Sequence, residues 1–256
     1  FNPVSKINYS FVSGPDKDEF NSIVKPLLGQ KNLYIFASKS LATDETLSCL
    51  KWLGNNRTEK NSIAITANSE GARALGFSEA SIIPFPESVG GRYSIWSPIS
   101  LTAGIENNFM SFLQGGGIAD SLLSGHSTDA RKYQKLIKTL AFSDIWHSNF
   151  CNKKNRVVLT YNWQLRSFAN YIQQLEMESL GKPSNAESIF HETGQTIFGG
   201  FGSTAQHSYF QLLHQGTSQC SADIIYSPTA QSPLSNAQAK GQASLLSSPQ
   251  KQSSDL

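Results

Sequence analysis

Lys31-Asn32-Leu33-Tyr34-Ile35-Phe36-Ala37 is the stretch whose reading decides the fold. Its apolar run is short and shows no polar alternation, the pattern of a strand buried on both faces within a parallel sheet. Working outward, a helix is expected upstream at 16–28 and another downstream at Thr43–Leu53. Ser62–Ala67 reads as a second strand, Glu70–Leu75 as a helix and Ile82–Phe85 as a third strand. Such alternation calls for parallel strands joined by crossover helices, hence an α/β fold.

Farther along, apolar residues recur at helical spacing from Ile99 to Phe112, and Gln114-Gly115-Gly116-Gly117 reads as a break before two more helical stretches ending near Asn149. The alternation then restarts, with a strand at Arg156–Thr160, helices at Gln164–Glu178 and Ser203–His214, and a strand at Asp223–Tyr226. Beyond Ser227 the chain turns to Ser, Gln and Ala. There Pro228, Pro233 and Pro249 are expected to interrupt any long helix and leave a loosely ordered tail. The expected organisation is part of one α/β lobe at 1–105, connecting helices at 106–150, the start of a second lobe at 151–226, and a Ser/Gln-rich tail at 227–256.

Composition narrows the function. Hydrophobic residues make up 39% of the chain, with 15 Phe and 16% charged residues, which excludes a disordered chain. A net charge of +2, with Lys and Arg scattered, argues against nucleic acid as a partner. Cys49, Cys151 and Cys220 show no paired spacing and fit a reducing compartment, so the expected location is cytoplasmic. No apolar run approaches the roughly 20 residues of a membrane helix, and no membrane partner is expected. The start at Phe1, without a methionine, suggests a piece of a longer protein.

Four segments could carry chemistry. Ser38-Lys39-Ser40-Leu41-Ala42-Thr43 lies between a strand and a helix start, where free amides and the helix dipole attract a phosphate, although Thr43 or Asp44 could equally be a plain cap. Gly90-Gly91-Arg92 follows a strand end and could deliver an arginine to a ligand, or be a tight turn with a solvated Arg. Gln174 and Glu178, four residues apart, share one helix face; Glu178 could act as a base, or pair with Lys182 on the surface. Gly199-Gly200-Phe201-Gly202 reads as a turn into a helix bearing His207, with His214 a further candidate, and either could be an ordinary core or surface histidine. No zinc spacing, phosphate-binding Gly-Lys-Ser/Thr loop or Ser-His-Asp signature appears, so neither metal nor cofactor is expected.

Taken in order, these segments resemble the phosphoglucose isomerase family over nearly the whole chain. Ser38–Thr46 is similar to its Ser-Lys-Thr-Phe-Thr-Thr-x-Glu-Thr phosphate loop, matching at Ser38, Lys39, Thr43, Glu45 and Thr46. Val89-Gly90-Gly91-Arg92-Tyr93-Ser94-Ile95-Trp96-Ser97 resembles the signature around its catalytic arginine. Gln174–Lys182 resembles Gln-x-x-Met-Glu-Ser-Asn-Gly-Lys, with Leu180 in place of the asparagine. Gln206–Thr217 is similar to the segment carrying the ring-opening histidine, although Gly200, Phe201, Ser203, Thr204 and Ala205 depart from the family's Gly-Glu-Pro-Gly-Thr-Asn-Gly. The family's upstream glycine-serine loop and its C-terminal lysine helix have no match in these residues.

The resemblance implies two sugar-isomerase lobes and a glycolytic and gluconeogenic enzyme that interconverts glucose 6-phosphate and fructose 6-phosphate through a cis-enediol. Glu178 would move the proton, Arg92 would stabilise the enediolate, and His207 would open the sugar ring across a homodimer interface. Ser38, Lys39, Ser40 and Thr43 would hold the phosphate, with Gly91 and Gln174 on the sugar. The alternative reading is a sugar-phosphate-binding module without turnover.

Overall fold

The computed structural model describes residues 7–104, 109–228 and 232–248. The chain folds as two units that divide between Ser124 and Gly125, inside the stretch expected to hold connecting helices.

In the first unit, Asp16 caps helix α1 (Lys17–Val24): its carboxylate accepts the amides of Asp18 and Glu19 at 2.8 and 2.9 Å, satisfying donors that a helix start leaves open. Phe20 and Val24, four residues apart, share the inward face of α1 and are buried. β1 (Tyr34–Ala37), α2 (Asp44–Leu53), β2 (Ser62–Thr66), α3 (Ser69–Ala74) and β3 (Ile82–Pro84) follow in the expected alternation. The strands are parallel in the order β1-β2-β3, with Tyr34 opposite Ser62 and Ala64 opposite Ile82. Phe36, Leu53, Ala64, Ala72 and Phe77 join α1 in one core, where the Phe36 and Phe77 rings meet edge to face at 5.5 Å.

α4 (Leu101–Gly104) and α5 (Phe109–Leu123) occupy the helical stretch expected from Ile99, of which residues 105–108 lie outside the described set. Gly115–Gly117 does not break the helix as the sequence suggested; α5 runs through it. The cause is steric. A Cβ on Gly116 would stand 2.8 Å from the Trp96 ring, so the missing side chain lets the helix lie against the indole.

In the second unit, α6 (Ala130–Ile145) passes through a π turn (Trp146–Phe150) to β4 (Asn155–Thr160). α7 (Phe168–Ile172), a second π turn (Gln173–Met177) and the short α8 (Glu178–Leu180) return the chain to β5 (Thr196–Phe201). α9 (Gly202–Ala205) and α10 (Phe210–Gln215) then lead to β6 (Cys220–Ile225), and α11 (Pro233–Ser247) closes the unit. The sheet is parallel in the order β5-β4-β6, so β4 is central. Its residues alternate between two cores: Val157 and Leu159 pack with Tyr161, Ala205, Phe210 and Ala239, while Val158 packs with Ala169, Ile172 and Ile197. Each of these β4 side chains is fully buried, an environment that contributes about 1.5–3 kcal/mol per large aliphatic side chain.

Several expectations are corrected here. The glycine-rich turn read at 199–202 is instead the end of β5, through Phe201, with Gly202 opening α9. Gly199 is a strand residue with φ +152°, and a Cβ there would collide with the Val158 carbonyl of β4. The helix expected over Ser203–His214 is interrupted at 206–209, and β6 begins three residues before Asp223. The tail is not loose over its described part. Pro233 opens α11 at the first helical position, where its fixed φ suits the helix and no donor is lost, and Ser232 accepts the Ser235 amide at 3.3 Å. Pro249 lies outside the described residues.

At the amino end of β4, Arg156 gathers carboxylates from three elements. Its Nε donates to Asp223 of β6 at 2.7 Å, and Nη1 donates to Asp144 of α6 at 3.1 Å and to Glu176 of the π turn at 2.9 Å. The guanidinium is largely buried, with only 13% of its side chain exposed. Burial pushes the Glu176 and Asp144 carboxyls above their ordinary range, against the pull of Arg156 and helped by the neighbouring acids.

Gly199→Ala is expected to cost about 1–3 kcal/mol in urea unfolding, because the strand must shift or accept strain; an unchanged midpoint would contradict the close β4–β5 approach. Glu176 and Asp144 hold their protons more tightly folded than unfolded. Their contribution is therefore complete below the unfolded carboxylate range and is lost as pH rises through the raised folded values. Glu176→Gln should flatten that decline of unfolding free energy with pH, and parallel slopes for the two proteins would refute the assignment.

Candidate functional site

In the first unit the candidate residues leave the carboxyl edge of one sheet. Ser38–Thr43 follow β1 and Gly91–Arg92 lie downstream of β3; these strands flank β2 and stand about 10 Å apart at neighbouring-strand spacing. The Ser38 amide donates to the Ile65 carbonyl at 3.1 Å, and the Lys39 carbonyl accepts the Thr66 hydroxyl at 3.0 Å and the Ala67 amide at 3.1 Å. Asn68 donates to the Ser40 carbonyl at 3.0 Å. The loop is thus held from the β2 side through its own backbone, by the Ser38 amide and the Lys39 and Ser40 carbonyls.

Ser38 Oγ accepts the Leu41 amide and Ser40 Oγ the Ala42 amide, both at 3.2 Å, using acceptor lone pairs and leaving O–H groups as donors. Leu41 adopts φ +52° and is buried at 3% exposure, anchoring the bend. Thr43 is the cap residue of α2, but its hydroxyl pairs with that of Thr46 at 3.0 Å instead of capping an amide. Lys39, Ser40 and Thr43 are exposed, and Asp44 and Glu45 occupy the first helical turn. A dianion would meet hydroxyl donors, one lysine and a helix start there.

Gly91 opens a 3-10 turn, Gly91–Trp96. A Cβ on Gly91 would meet nothing within 4 Å, so the backbone face there is open. Arg92 is half-buried, with its guanidinium 5.5 Å from the Tyr93 ring centroid.

In the second unit Gln174 and Glu178 come together on an exposed helix face: Gln174 Nε2 donates to Glu178 Oε2 at 3.3 Å. Lys182 directs its ammonium to the Glu178 and Ser179 carbonyls at 2.6 and 3.2 Å, acting as a cap at the helix end. The helix is fastened to the start of β5, where Gln173 donates to the Ile197 carbonyl at 2.7 Å and Met177 Sδ accepts the Ile197 amide at 3.3 Å.

His207 sits at the opposite edge. It follows the carboxyl end of β5, in the turn between α9 and α10, and is exposed. The turn is set by Gly202, where a Cβ would overlap the Tyr161 ring, and by Gln206, which donates to the Tyr161 hydroxyl at 3.1 Å. The length of β5, about 16 Å for six residues, therefore separates the Glu178 end of the sheet from the His207 end. His214 points elsewhere, bonding Gln242 of α11 at 3.0 Å.

Sequence reasoning overlooked Gln173, Glu176 and Arg156, which hold the Glu178 helix. An arginine opening an otherwise apolar strand was the available signal. Among the described residues no group of three or more His, Cys, Asp or Glu is arranged to hold a metal ion, and no helix is long and apolar enough to cross a membrane.

Glucose-6-phosphate isomerase of Shewanella amazonensis is 36% identical over 244 residues, covering 90% of this chain and 44% of the relative. The enzyme of the same name from Legionella pneumophila is 36% identical over 238 residues, covering 88% and 46%. The chain thus spans less than half the length of these curated relatives. The crystal structure of a glucose-6-phosphate isomerase from Chlamydia trachomatis superposes with a TM-score of 0.71 at 23% identity, covering 92% of this chain and 49% of that one, and supports the fold. The family described as phosphoglucose isomerase matches residues 2–256, and the chain belongs to it.

Proposed function

We propose that this chain carries the proton-transfer machinery of a glucose-6-phosphate isomerase, interconverting glucose 6-phosphate and fructose 6-phosphate in glycolysis and gluconeogenesis. The observation that carries the reading is the Gln174–Glu178 pair, a carboxylate oriented by an amide on an exposed helix face. Moving a proton between C1 and C2 of an open-chain sugar needs one carboxylate that reaches both carbons from the same side. Glu178 takes the proton from one carbon and returns it to the other, and Gln174 steadies both the carboxylate and the sugar.

The cis-enediol intermediate gathers negative charge on oxygen, and Arg92 supplies a fixed cation for it. Ser38, Lys39, Ser40 and Thr43 bind the phosphate, with Gly91 giving the sugar room beside the backbone. Binding at this remote end orients the reacting carbons. His207 opens the ring. Its separation from Glu178 by the length of β5 supports a homodimer in which each site takes its histidine from the second copy. The two units are read as portions of the two sugar-isomerase lobes, in a cytoplasmic enzyme. The catalytic names of the relatives weigh against a module that only binds sugar phosphate.

Conversion of fructose 6-phosphate to glucose 6-phosphate by the purified chain tests the activity. Glu178→Gln should lower kcat by about 10²–10⁴-fold, the range for loss of a general base, and retained turnover would remove Glu178 from the role. Mixing Glu178→Gln and His207→Ala chains tests the shared site. Random pairing restores an intact site in about one of four, because a two-fold dimer joins the good glutamate of one copy to the good histidine of the other. No recovery on mixing would mean that the histidine acts within its own chain.

A further inference from the structure

The segment bearing Gln174 and Glu178 departs from regular helix at Gln173–Met177, a π turn that inserts extra backbone between α7 and Glu178. Relaxing this turn to α geometry would rotate everything beyond it by about 100° relative to α7, the angle one residue occupies in a helix. Glu178 is the first residue beyond it. Three side chains of the turn are fastened to the sheet. Gln173 and Met177 hold the backbone of Ile197, and the Glu176 carboxylate accepts Arg156 Nη1 at 2.9 Å. Arg156 is a fixed post. It is largely buried at the amino end of β4 and is held by Asp223 on one side and Asp144 on the other.

We propose that Arg156, acting through Glu176, is a positioning residue for Glu178: the ion pair locks the π turn and thereby sets the direction in which the Glu178 carboxylate meets the sugar. This rests on the isomerase reading of Glu178. The two neighbouring acids make the arrangement asymmetric, since Asp223 engages both Nε and Nη2 while Asp144 and Glu176 share Nη1. Removal of Glu176 therefore frees the π turn while Arg156 stays paired with Asp223 and Asp144.

Glu176→Ala and Arg156→Lys are compared with the unaltered chain, each at matched folded fraction by circular dichroism. Turnover of fructose 6-phosphate should fall about ten- to a hundredfold in kcat for both, as expected for a misplaced catalytic group, with KM within about twofold. Carbon-detected NMR of the Glu178 carboxyl supplies a readout that needs no turnover, and its chemical shift at fixed pH should change in both variants. An unchanged Glu178 carboxyl signal together with unchanged kcat overturns the proposal, as does a loss that merely tracks the folded fraction. If the unaltered chain turns over no sugar phosphate while the Glu178 signal still responds to Glu176→Ala, the isomerase reading fails and the mechanical coupling stands. Should Glu176→Ala fail to fold, Arg156→Lys, which keeps the charge but loses the fork, carries the same measurements.

Discussion

The enclosure of β4 on both faces and along both edges is the constraint on which the second unit depends. Every residue from Asn155 to Thr160 has a partner on β5 and another on β6. The ladder thus meets the backbone's hydrogen-bonding demand, and side chains can be apolar on either face. Two cores follow, one under α9, α10 and α11 and one under α7. Polar chemistry is displaced to the ends of the strand. Arg156 and the Glu178 helix gather at the amino end, while Tyr161 and the His207 turn lie at the carboxyl end.

That arrangement explains what could be read from the sequence. β1, β2 and β3 were legible because each centres on consecutive apolar residues, Tyr34–Ala37, Ile63–Ile65 and Ile82–Ile83, and such runs owe little to distant residues. β5 was not, since Gly199 and Gly200 carry the local signal of a turn. The reason for Gly199 lies 41 residues upstream, at the Val158 carbonyl that passes where a Cβ would be. Gly116 misled in the same way, its helix accepting a glycine because Trp96 lies against it. Pro233 has the opposite history, a residue read as a breaker that begins a helix.

The candidate site divides along similar lines. Ser38, Arg92, Glu178 and His207 stood out because short motifs surround them. Arg156, Asp144, Glu176 and Asp223 are scattered over 80 residues and meet only in the folded unit, so no local pattern marks them. The π turn was hidden too, because its apolar stripe matches that of an ordinary helix. The residues that carry the proposed chemistry are locally encoded, whereas those that hold it in place are encoded by topology.

Leu41 shows how a loop can be made stiff without glycine. A branched side chain in the left-handed region costs of order 1–3 kcal/mol locally, yet here it is buried among Phe20, Phe36 and Ala64 while its backbone turns the Ser38–Thr43 loop. The apolar anchor offsets the unfavourable dihedral and selects one shape from the many that a flexible loop would sample. An anion arriving at those hydroxyls would find them already arrayed, and little of its binding free energy would go into ordering the chain. Affinity for the charged end of a ligand would then be governed from inside the hydrophobic core.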